Sequence, residues 1–149
     1  MNYKDILETA IPQLTNEGRE VILPVDGRSM LPFIVGGRDS LVLIKKYDRL
    51  NVGEIVLAMT KEAGYVIHRI DSISDDGEFA LLGDGNLERR EHCGYEDIKA
   101  VAVAVVKPGG KRVPLQNNWH KFTAKTWRVL LPIRRYLLWI YRKTHNLPK

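Results

Sequence analysis

Acidic residues are missing from one end of this 149-residue chain. Residues 121 to 149 hold eight Lys and Arg and no Asp or Glu, whereas the first 120 carry 15 bases and 18 acids. The formal net charge of +5 therefore belongs to the tail, and the body is mildly acidic. Cysteine is almost absent. The single Cys93 excludes an internal disulfide framework and fits a reducing compartment. With no second thiol or His-x-x-His nearby, it does not suggest a zinc site, and no metal or cofactor is expected. No apolar run approaches the roughly 18 residues of a membrane span. The opening "MNYKDILETAIPQL" is broken by Asp5 and Glu8 and is not a secretory signal, so a cytoplasmic chain is expected, soluble or peripheral at the inner membrane face. Internal repeats, low-complexity tracts and the helix–strand alternation of a doubly wound sheet are also missing.

What is present divides into three segments. In residues 1–18, Tyr3, Ile6, Leu7, Ala10, Ile11 and Leu14 recur at helical spacing, which predicts a short amphipathic helix stopping near Gly18. Residues 19–107 carry short Val-, Ile- and Leu-rich segments ("VILPV", "SLVLIKK", "EIVLAMT", "YVIHRI", "FALLG", "AVAVAVVK"). Turn residues separate them, and "KEAG" and "DDGE" read as hairpin turns. A mainly β domain is expected. From Lys107, "KPGGKRVPLQNN" reads as a linker, and residues 108–149 are a linker plus a basic amphipathic C-terminal helix, with a kink expected at Pro132. On a helical wheel Phe122, Val129, Leu130, Ile133, Tyr136, Leu137, Ile140 and Tyr141 share one broad face. Lys125, Arg128, Arg135, Arg142 and Lys143 fall on the other, Trp127, Leu131 and Leu138 lie at a border, and Trp139 sits among the bases. This helix either packs on the β domain or lies on an anionic membrane surface through residues 121–145. Nucleic acid is the less favoured partner, because the apolar face is large and no nucleic-acid fold is apparent.

One decapeptide, "VDGRSMLPFI", raises a chemical question. A serine becomes a nucleophile only with a base beside it and donors for the oxyanion. Gly27 permits an unusual turn before Ser29, and Pro32 stiffens the exit. Four histidines are available as base. His68, in "GYVIHRI", alternates with apolar neighbours and, taken alone, reads as a polar residue on a half-exposed sheet face. His92 reads as a loop residue, and His120 and His145 lie near the linker and in the tail. Asp84, in "GDGN", sits at a strand-to-turn junction and reads as an ordinary Asx turn.

Taken in order, "GRSMLPFI", "VGEIVLA", "VIHRI" and "LLGDGN" resemble the successive boxes of the signal peptidase and LexA-like serine peptidase superfamily, over residues 20 to 107. The resemblance implies a partly barrel-like antiparallel β fold and a serine endopeptidase acting on a peptide or protein precursor. It carries the nucleophile to Ser29 and the base to His68, where many members have lysine. It carries the third catalytic residue to Asp84. Gly27 stands where signal peptidases have a serine whose hydroxyl serves the oxyanion, so backbone N–H groups are expected in that role. Ser–His members also carry a further acid after the Gly-Asp box, for which "GNLERR" offers Glu88. Signal peptidases have a membrane anchor ahead of the serine, where a short amphipathic helix is expected here. LexA-like self-cleavage is not expected, since the only Ala-Gly pair, Ala63-Gly64, follows the serine. Two other readings predict different behaviour: a peptide-binding module without chemistry on the same fold, and a peripheral membrane adaptor acting through the tail.

Overall fold

The computed structural model describes residues 2–85, 89–115, 125–126, 129–130 and 133–144, with Arg134 as backbone only. It is mainly β, as the alternating segments predict. Helix α1 (Tyr3–Thr15) opens with a capping box: the Asn2 side chain accepts from Lys4 N–H while Asp5 accepts from Asn2 N–H. Leu7, Ala10 and Leu14 face inward at i, i+3 and i+7. Eight strands follow, β1 (Val21–Pro24), β2 (Ser40–Lys45), β3 (Ile55–Thr60), β4 (Gly64–Ile73), β5 (Phe79–Leu82), β6 (Glu91–Cys93), β7 (Ile98–Val106) and β8 (Arg112–Pro114), and then helix α2 (Arg134–Thr144).

All strand pairs are antiparallel, in the order β1-β2-β7-β3-β4-β5-β6, with β8 added to the free end of β7. Register shifts at Val42/Leu43, Leu57/Ala58 and Ile70/Ser72 bend the sheet into a curled half-barrel. Curling covers both faces of the central strands, so β3 and β7 read as nearly continuous apolar runs. One core cluster lies under α1, with Leu7, Leu14, Leu23, Leu41, Leu43 and Leu57. A second lies inside the curl, with Val56, Ile70, Phe79, Leu81 and Val101.

The expected hairpins are present. "KEAG" joins β3 to β4 and "DDGE" joins β4 to β5. Two expectations fail locally. His92 lies in strand β6, and residues 112–114 of the expected linker form strand β8. The three-residue β6 reads Glu-His-Cys and lacks the apolar alternation that marks a strand. Cys93 is buried there, and burial first, then the charges of Asp97, Glu62 and Glu78, push its thiol up to about 11. It is therefore a protonated core residue rather than a nucleophile.

Between β1 and β2 a loop, residues 25–39, carries the serine. Asp39 closes it. Its carboxylate is fully buried and accepts from Val35 N–H (2.9 Å), Arg38 Nε (2.9 Å) and Lys107 Nζ (2.7 Å). Val25 N–H donates to the Asp39 carbonyl, and Gly37 N–H to that of Val25. Burial alone would raise the Asp39 pKa. The hydrogen bonds from Arg38, Lys107 and Val35, with the Lys107 charge, override burial and hold it below the ordinary range. A depressed carboxyl stabilises the fold above its unfolded pKa and loses that contribution as pH falls through its folded value. The wild-type protein is therefore expected to lose stability below about pH 4, near the ordinary Asp value. Asp39→Asn should cost roughly 2 kcal/mol at neutral pH, because its two cations keep access to water. Its stability should also fall less steeply with acid, which denaturant titrations of both proteins at neutral and acid pH would reveal.

Candidate active site

Ser29 stands five residues beyond β1, at the start of a tight turn in which Leu31 N–H donates to Arg28 and Ile34 N–H to Met30. Gly27 enters that turn with φ +80°, a conformation that L side chains avoid. The loop returns directly over it. A Cβ at Gly36 would lie 2.0 Å from the Gly27 carbonyl oxygen, so Gly36 is required for the loop to close on itself.

His68 lies in the middle of β4 and is 5% exposed, not half-exposed as its alternation with apolar neighbours suggests. Its Nδ1 lies 2.9 Å from Glu91 Oε2, on β6, and the Glu91 side chain is itself buried. An ionised carboxylate only accepts, so against one Nδ1 is the donor, and in the neutral imidazole Nε2 is then left with the lone pair. That nitrogen borders the same small space as the serine. A Cβ built on Gly83 would lie 3.1 Å from His68 Nε2, 3.0 Å from Ser29 Cβ and 2.4 Å from the Ser29 carbonyl oxygen. Only a glycine lets the backbone at residue 83 come this close to both groups. Gly85 is constrained in the same way: its N–H donates to the Ser29 carbonyl at 2.6 Å, and a Cβ there would meet the Arg28 carbonyl.

Asp84 sits between these two glycines and does not orient His68. Arg69 takes its carboxylate with both arms, Nε to Oδ1 at 2.8 Å and Nη2 to Oδ2 at 2.6 Å, while Nη1 donates to the Gly53 carbonyl. The reason is the pleat. Arg69 and His68 are consecutive in β4 and point to opposite faces, so the acid that meets Arg69 is on the wrong side for the imidazole. Both ions are buried. The pair fastens the 83–85 turn, and through Gly83 and Gly85 it fixes the position of Ser29. The acid on His68 is Glu91, which the boxes in the sequence do not reveal. No signal in the sequence points to it. Glu88, His120 and His145 lie outside the described residues. His92 is held by Glu62 on the outer surface, with Nδ1 at 3.0 Å from Oε1.

Ser29 and His68 open on one cleft of about 140 Å³. Met30, Leu57, Tyr65 and Ile67 give it apolar walls, Tyr3 and Leu7 of α1 contribute to the lining, and Asp26 is present with them. This volume is well below the roughly 300–1,000 Å³ of small-molecule sites and suits one or two side chains of a larger ligand. The edge of β4 leads into it. On its β5 side β4 pairs only from Arg69 to Ile73, so among the described residues no strand covers Gly64–His68 there. Among the described residues no group of three His, Cys, Asp or Glu is placed to hold a metal ion.

Gly83→Ala is expected to test this packing. The added methyl meets a backbone carbonyl, which cannot swing aside, so a stability loss of about 1–3 kcal/mol should accompany displacement of Ser29 from His68. Thermal melting together with chemical labelling of Ser29 would measure both.

Comparison of the chain with protein-family models, curated proteins and solved structures finds no match. Function must therefore be read from the residues and their geometry.

Proposed function

We propose that the chain is a serine endopeptidase that cleaves an extended peptide segment through Ser29, His68 and Glu91. The observation that carries this reading is the buried His68, with Nδ1 against Glu91 and Nε2 and Ser29 both bordering Gly83 and lining one apolar cleft. A histidine on a β-sheet needs neither a buried acid nor an adjoining serine for structural reasons. The combination matches the roles of nucleophile, base and orienting acid.

In this mechanism the peptide adds to the Gly64–His68 edge of β4 as a further strand, and its side chains alternate between the cleft and solvent. His68 Nε2 takes the Ser29 hydroxyl proton as Oγ bonds to the peptide carbonyl carbon. Glu91 stabilises the resulting imidazolium. Backbone N–H groups at the start of the Ser29 turn, that of Ser29 among them, receive the oxyanion. Collapse breaks the C–N bond, and the leaving amine takes the proton from Nε2. His68 then takes a proton from water as its oxygen bonds to the acyl carbon, and returns that proton to Oγ as the C–Oγ bond breaks, freeing the acid and Ser29. The test is digestion of a proteome-derived peptide library. New N-termini should appear with the wild-type chain and not with Ser29→Ala, His68→Ala or Glu91→Gln, and the residues before each cut should be apolar and compact. An absence of cleavage, or cleavage that survives Ser29→Ala, overturns the proposal.

A further inference from the structure

Helix α2 binds the body through one margin of its apolar face. Of the broad apolar face read from the sequence, Tyr141 turns to the body while Ile133, Tyr136 and Ile140 stay exposed. Leu138, from the border of that face, is buried against Leu31 and Val35, with Tyr141 packed beside it. Ile133, Tyr136 and Ile140, spaced i, i+3 and i+7, are exposed. Trp139 is 61% exposed. Arg135, Arg142 and Lys143 are exposed alongside. Lys143 Nζ lies 4.8 Å from the centre of the Trp139 ring, and the Arg135 guanidinium 5.1 Å from that of Tyr136.

We infer that this outward face is a docking surface for an anionic lipid bilayer. An apolar stripe bordered by Trp, Tyr and cations is the composition of a helix lying in the membrane interface, with rings at the headgroup level and bases among lipid phosphates. Charge decides between occupants. The tail has eight bases and no acid, so two copies of this face would meet base against base. Nucleic acid would answer the bases but leave Ile133, Tyr136 and Ile140 without an apolar partner. An anionic bilayer answers both. No helix among the described residues is long and apolar enough to cross a membrane, which fits a helix that lies on one. Leu31 and Val35 belong to the same loop as Ser29. Docking of α2 would therefore hold the cleft at the bilayer surface, independently of what Ser29 does there.

The full chain should co-sediment with phosphatidylcholine vesicles containing a minority of phosphatidylglycerol, and not with phosphatidylcholine alone. Raising the salt concentration should weaken the attachment. Two double variants, Tyr136→Ser with Ile140→Ser and Arg142→Glu with Lys143→Glu, should each reduce partition about tenfold or more. Both change exposed side chains, so their melting should match wild type, and Ser29→Ala should sediment as wild type does. The inference is overturned if the wild-type chain stays in the supernatant with both vesicles or binds both equally. It is also overturned if the Tyr136/Ile140 pair has no effect, or if sedimentation equilibrium shows a dimer that this pair dissociates.

Discussion

Ser29→Ala is expected to lower the cleavage rate by roughly a factor of 10⁴ to 10⁶ while leaving the melting temperature within a degree or two of wild type, since a catalytic triad acts as a unit. The structural cost is small because the half-buried hydroxyl is lost without a cavity of consequence. Ser29 is held by its main chain: its carbonyl accepts from Gly85 N–H at 2.6 Å and packs against Gly83. None of that changes in alanine. Rates on peptides taken from the library digestion, set beside thermal melts, separate the two effects. A variant that keeps even a tenth of the activity would show that the serine is a turn residue and that the nucleophile is elsewhere.

The second large effect distinguishes two acids. Glu91→Gln places an amide against Nδ1, which removes the charge that stabilises the imidazolium and lets the ring take the other tautomer. A kcat lower by about 10² to 10⁴ with little loss of stability is expected. Asp84→Asn should behave in the opposite way. It leaves Arg69 buried without its countercharge, which costs about 3 kcal/mol, or on the order of 10 °C in Tm for a domain of this size. Its loss of activity should follow the loosening of the 83–85 turn and be partly recovered at low temperature. Kinetics and melting on both variants decide the assignment. If Asp84→Asn abolished kcat in a fully stable protein while Glu91→Gln was silent, the roles assigned here would be reversed.

The two acids also show how far sequence reasoning reaches. Ser29 and His68 are singled out by the order of four short boxes, since His68 taken alone reads as a sheet residue, and the structure places both around one cleft. Asp84 is also visible, because Gly-Asp-Gly marks a tight turn wherever it occurs. Its partner is not, since that depends on which face of β4 the turn meets. Glu91 is 23 residues from His68 and reaches it only through the β4–β5–β6 registers, where Arg69 pairs with Leu82 and Leu81 with Glu91. Nothing in "RREHCGY" announces a strand. Similar physics explains the tail. Periodicity identifies an amphipathic helix, but Leu138 at its border is the anchor, because the docking face is set by the contour of the Leu31–Val35 loop. The strands themselves are legible where Val, Ile and Leu alternate with glycine turns. They are not in β6 and β8, which are three residues each and take their structure from their neighbours.

The central claim is that Ser29 cuts peptide bonds, and the most direct measurement compares protein N-termini in cells making the wild-type chain with those in cells making Ser29→Ala at equal abundance. The account predicts a short set of N-termini present with wild type and missing with the variant, sharing compact apolar residues ahead of the cut. Identical N-termini in the two populations, with both proteins folded, would contradict it.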